Sequence, residues 1–128
     1  MRLQKIKSGS DRFDATVRSR LAALRAAGST RLGTVLRDAV ARRDAATRLV
    51  LVISDGEPHD IDAHEPDYLV ADAQHAVRQA AREGLVMACL VLDPAGARTA
   101  ARIFGPHRVG VLQALGHLPR TLRRITAR

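Results

Sequence analysis

Leu49–Val50–Leu51–Val52–Ile53 is an unbroken apolar run that leads directly into Ser54–Asp55–Gly56. Without polar alternation, five such residues suit a strand buried on both faces, as in a parallel sheet. Open α/β sheets bind their ligands at the carboxyl ends of their strands, where Asp55 and Gly56 fall. The loop that follows, Glu57 to Glu65, holds Asp60 and Asp62 and is dense in oxygen ligands. In a chain of net charge +8 this acidic island is the natural place to look for a cation.

A second apolar run, Leu85–Leu92, predicts another buried strand, closed by Asp93–Pro94. Between the two, Tyr68–Glu83 predicts a helix with Leu69, Ala73, Ala76, Val77 and Ala80 turned inward and Gly84 as its stop. Ala95–Ile103 predicts a short helix, Arg108–Leu112 a weaker strand, and Leu118–Ala127 a last helix with Pro119 in its first turn. This alternation predicts an α/β fold: a three-layer, mostly parallel sheet with right-handed crossovers and helices on both faces.

The first third differs. Residues 2–6 predict a short strand, and Asp11 an N-cap for a helix carrying Phe13, Val17, Leu21 and Leu24 and ending near Gly28. Arg31–Arg43 predicts a second helix, capped by Ser29 or Thr30, with Leu32, Val35, Leu36, Ala39 and Val40 on one face. The expected sheet has about four strands and the expected organisation is a single domain over 1–128.

Composition narrows the function classes. Apolar residues make up 46% of the 128-residue chain, enough for a core rather than disorder. Aromatics are only 2%, so the core must be aliphatic and a base-stacking surface for single-stranded nucleic acid is not expected. The positive charge is almost all arginine, recurring from Arg2 to Arg128 without a long tract. It reads as solvated helix faces, or as a surface for an anionic partner. Cys89 is the one cysteine and lies inside an apolar run, so a buried core thiol and a reducing compartment are expected. No stretch suits a membrane span and the start lacks a signal-peptide centre, which makes the cytoplasm the expected location.

Two residues suggest cation chemistry. Thr30 lies between Gly28 and a helix start, and Asp55 ends the central strand; a hydroxyl and a carboxylate at one sheet edge form part of a magnesium site. A plain helix cap at Thr30 and a local turn at Asp55–Gly56 explain the same residues without a metal. The loop carboxylates lack the spacing of an EF-hand, and His59 and His64 lack that of a zinc site. Gly28-Ser-Thr-Arg-Leu-Gly33 has no lysine after its second glycine, which excludes a Walker A loop. A Gly-x-Ser-x-Gly elbow is absent, as is the acidic pair a phospho-accepting receiver domain would need. No catalytic constellation assembles, so an enzyme is not expected.

Ser54-Asp-Gly-Glu-Pro-His-Asp-Ile-Asp62, Tyr68-Leu-Val-Ala-Asp72, Cys89-Leu-Val-Leu-Asp93, Ile103-Phe-Gly105 and Gly28-Ser-Thr-Arg-Leu-Gly33 together resemble the von Willebrand factor A domain of the NorD/CbbO type. The resemblance covers about residues 2 to 127. It implies a Rossmann-like doubly wound sheet with a metal-ion-dependent adhesion site at its carboxyl edge. That site is built from an Asp-x-Ser-x-Ser segment, a threonine turn and a strand-end aspartate. Thr30 matches the second element and Asp55 the third, with Ser29 and Gly56 shaping the site and Asp60 and Asp62 at its rim.

The first element has no counterpart here, and the chain is expected to begin after the first two family strands. Magnesium binding should then be weak, and the edge of Leu49–Ile53 should be exposed to unwanted pairing. The resemblance further implies a non-catalytic adaptor for a MoxR-family AAA+ ATPase that activates a client enzyme such as nitric oxide reductase or rubisco. The alternative from the residues alone is a small basic α/β module binding an anionic ligand or nucleic acid without metal.

Overall fold

The computed structural model describes residues 4–25, 31–55 and 66–127. Three parallel strands form one sheet in the order β1 (Leu49–Ser54), β2 (Val86–Val91), β3 (Val109–Val111). Five α-helices accompany them among the described residues: α1 (Ala15–Ala22), α2 (Leu32–Arg42), α3 (Pro66–Arg82), α4 (Ala97–Phe104) and α5 (Leu118–Ile125). The α/β class and the parallel sheet expected from the apolar runs are present. From β1 onward the order strand, helix, strand, helix, strand, helix also holds, with helix boundaries shifted by a few residues at most.

Strand alternation assigns the two faces. Met87, Cys89, Val91 and Val109 point into the main core with Leu36, Val70, Ala73, Ile103 and Phe104, which come from α2, α3 and α4. Gly110 points the other way: a Cβ there would lie 2.3 Å from Thr121 Cγ2 and 3.3 Å from Ile125 Cγ2. So α5 packs on the opposite face, and only glycine lets it approach β3 so closely. Ile125 is fully buried there.

α3 shows how closely the sequence pattern governs a helix. Leu69, Ala73, Ala76 and Ala80 are buried at helical spacing, and Gly84, at φ +82°, ends the turn after the last residue as the expected stop. α2 runs alongside it in the same direction, since Arg31 meets Tyr68, Arg37 pairs with Asp72 and Arg43 with Glu83. Gly33 permits the close approach: a Cβ there would stand 3.1 Å from the Asp72 backbone.

Four expectations fail. β1 is not buried on both faces: Leu49, Leu51 and Ile53 are exposed, Ile53 by 61%, because nothing among the described residues covers that face at the sheet edge. Among the described residues the sheet has three strands rather than about four. Residues 4–6, the described part of the expected first strand, form none. Asp11 does not cap α1. It accepts from the Ser8 backbone N–H at 3.0 Å, a bond that holds its carboxyl below the usual range, and Asp14 is the cap, accepting from Thr16 and Val17. A competing local turn took the earlier aspartate. Of the apolar residues expected on α1, Val17 is buried while Phe13, Leu21 and Leu24 are exposed.

Candidate functional site

The carboxyl edge of the sheet is assembled from three directions. β1 delivers Asp55, solvent-exposed, directly after Ser54. Ser54 is fixed in place because its carbonyl accepts from Leu92 N–H at 3.0 Å, which carries the β1–β2 ladder to its end. α3 begins at Pro66 and is followed by β2, which runs parallel to β1, so its amino end opens toward the same edge. α2 runs parallel to α3 and opens there too. Arg31 sits at the N-cap of α2 without a side-chain cap bond, where Ser29 or Thr30 was expected. Its guanidinium donates to Tyr68 Oη at 2.7 Å and lies over the Tyr68 ring at 5.3 Å.

Of the expected site residues, Asp55 is described: it directly follows β1, which is an edge strand of the sheet rather than the central strand expected. Thr30, Ser29, Gly56, Asp60 and Asp62 lie outside the described residues. Among the described residues no group of three or more His, Cys, Asp or Glu side chains is arranged to hold a metal ion. Asp93, at the end of β2, is committed to structure: its carboxylate accepts from Ala95 N–H at 3.0 Å and starts the turn before α4.

The Arg31–Tyr68 contact was not legible in the sequence. The two residues are 37 apart, and only the parallel packing of α2 on α3 joins them. The contact places an exposed aromatic ring and a positive charge at the amino ends of α2 and α3.

Cys89 behaves as the apolar run implies. It is fully buried in the main core. Burial pushes its thiol up from 9.0 to about 11, and the Asp55 charge adds to the shift. The folded state thus holds this proton more tightly than the unfolded chain does. Stability from this group is complete below pH 9 and falls as the pH rises toward 11. Urea midpoints measured across that window should decline more steeply for the native sequence than for Cys89→Ala. Equal slopes would show that the thiol is not shielded.

Comparison with known proteins gives a consistent set of relatives. The chain is 31% identical over 131 residues to an uncharacterized protein of Pseudomonas aeruginosa, covering 100% of this chain and 21% of that protein. It is 33% identical over 96 residues to the protein NorD of Stutzerimonas stutzeri, covering 73% of this chain and 16% of the relative. With NorD of Brucella suis the identity is 27% over 122 residues, 93% of this chain and 19% of the relative. The chain thus spans about a fifth of the length of these relatives. No family profile matches it. No solved structure gives a significant match. Among the described residues no helix is long and apolar enough to cross a membrane.

Proposed function

We propose that this NorD-related chain is a non-catalytic, cytoplasmic interaction domain of the von Willebrand factor A type. It works with a MoxR-family AAA+ ATPase in activating a client enzyme, of which nitric oxide reductase is the first candidate and rubisco the second. The observation that carries the reading is the coincidence of two facts. The similarity to proteins named NorD extends over most of the chain. The one described residue of the expected adhesion site, Asp55, stands exposed at the carboxyl end of a parallel strand, where such a site belongs.

The ion is magnesium, held weakly because the Asp-x-Ser-x-Ser element has no counterpart in this sequence. Asp55 offers a hard oxygen, and magnesium keeps several waters and takes few protein ligands. In this reading Asp55 and Thr30 hold the ion, with Ser29 and Asp60 beside them. When bound, the ion supplies positive charge that attracts a partner's carboxylate. The protein's own part is to present Asp55 from a strand end held by the Ser54–Leu92 hydrogen bond.

Thermal unfolding with and without magnesium tests this. An ion that binds only the native state raises the midpoint. At about ten times its dissociation constant the stabilisation is about 1.4 kcal/mol, a rise of about 5 °C. The rise should appear for the native sequence and vanish in Asp55→Ala. A midpoint indifferent to magnesium, or an equal rise in both proteins, would remove the metal from the proposal. Failure of the domain to co-purify with the ATPase would remove the adaptor role.

A further inference from the structure

The charge of this chain is divided very unevenly. Between Arg48 and Arg78 there is no lysine or arginine, whereas the last acidic residue is Asp93. Residues 94–128 hold seven arginines and no aspartate or glutamate, and so account for +7 of the net +8. An even arginine bias on solvated faces does not produce this. In most basic helical surfaces carboxylates are interspersed and offset the repulsion; here none is available locally.

The fold gathers four of these seven arginines at one corner, while Arg98 and Arg102 lie on α4. α5 buries Ile125 and half-buries Thr121 and Leu122, so Arg120, Arg123 and Arg124 share its exposed side at helical spacing. Arg108 joins them from the turn before β3, donating through Nη1 to the carbonyls of Ile125 and Ala127. Arg124 donates through Nη2 to the Val109 carbonyl at 2.9 Å. These bonds tie α5 to β3 and hold two guanidinium groups in fixed positions. Arg108 and Arg124, with His107, Gly105, Pro106 and Ala127, line a recess of about 430 Å³. Among the described residues, none of Arg108, Arg120, Arg123 and Arg124 is paired with a carboxylate.

We infer that this recess and the exposed side of α5 form a docking surface for an acidic polypeptide segment. Arginine cannot shed its proton, so the positive potential of this corner persists and attracts an anionic partner. Because backbone carbonyls already order two of the side chains, less freedom is lost on binding. Guanidinium groups pair well with carboxylates in forked geometry. The surroundings favour a polypeptide over nucleic acid. The only aromatic residue after Tyr68 is Phe104, which is buried, so this surface carries no aromatic ring on which single-stranded bases could stack. Pro106 and Ala127 give the recess apolar ground that a phosphate backbone would not use, and Leu115, 80% exposed, stands before the amino end of α5. This surface is separate from Asp55 and requires no metal.

The test is fluorescence anisotropy with the full 128-residue chain, a labelled Glu/Leu peptide and a labelled DNA duplex. Arg120→Glu combined with Arg123→Glu should weaken peptide binding about tenfold or more, since each reversal replaces an attraction with a repulsion. Arg78→Glu with Arg82→Glu makes the same charge change on exposed positions of α3 and should leave binding nearly unchanged. Arg120→Gln with Arg123→Gln provides a neutral version if the reversal disturbs folding. Equal weakening by both charge-reversed pairs would reduce the effect to net charge and overturn the assignment. So would absence of peptide binding, or tighter binding of the duplex through the same arginines.

Discussion

Phe104→Ala should cost about 3–5 kcal/mol of folding stability. Phe104 is the one buried aromatic side chain in an otherwise aliphatic core, with 5% of its surface exposed. It closes α4 against the main cluster and is followed at once by Gly105, whose φ of +91° turns the chain away. β2 and β3 are hydrogen-bonded strands and cannot move in to fill the space. Most of the cavity would therefore persist, which places the cost in the upper part of the large-to-small range. Domains of this size have only about 5–15 kcal/mol in total. Chemical denaturation should show a large drop in midpoint with little change in slope. A loss below about 1 kcal/mol would mean that Phe104 does not fill the core as described.

Leu36→Ala is expected to cost about 2–5 kcal/mol. Leu36 is fully buried and lies on α2, whose main attachment is to α3. Two kinds of contact join these helices. One is burial, led by Leu36 and Leu32; the other is the ion pairs, Arg37 with Asp72 and Arg43 with Glu83, both at 3.0 Å. Their magnitudes separate them. The Arg37 side chain is 41% exposed, so its pair is screened by solvent and contributes about 0–1 kcal/mol. Arg37→Ala should therefore fall well short of Leu36→Ala when both are measured by denaturation. The reverse order would show that charge, not burial, fixes α2. It would also weaken the placement of Arg31 beside Tyr68, because that contact depends on the parallel docking of the two helices.

The positions of β1, β2 and α3 were legible in the sequence because each depends on local pattern. An apolar run bounded by turn residues makes a strand, and a 3.6-residue apolar period with a glycine stop makes a helix. Asp55 was legible for the same reason, as the polar residue at the end of such a run. Cys89 was legible as a buried thiol because its neighbours are uniformly apolar. Which faces of a strand are covered is not a local property. Leu49, Leu51 and Ile53 look identical in sequence to Val50 and Val52, yet one set is exposed and the other packs against the core. β1 is an edge strand, and strand order is decided by partners far along the chain.

Short polar signals were decided by competition. Asp11 and Asp14 both match an N-cap, and only the turn around Ser8 shows that the first is occupied elsewhere. The arginines followed the same logic. Their number is plain in the sequence, but Arg108 and Arg124 are hydrogen-bonded to carbonyls 15 to 19 residues away. Composition and local periodicity thus determined the α/β class, the core strands and the strand-end carboxylate, since each arises from neighbouring residues. Tertiary structure alone decided the open face of β1, the parallel pair α2 and α3, and the gathering of arginine at α5, because each needs residues distant in sequence to meet in space.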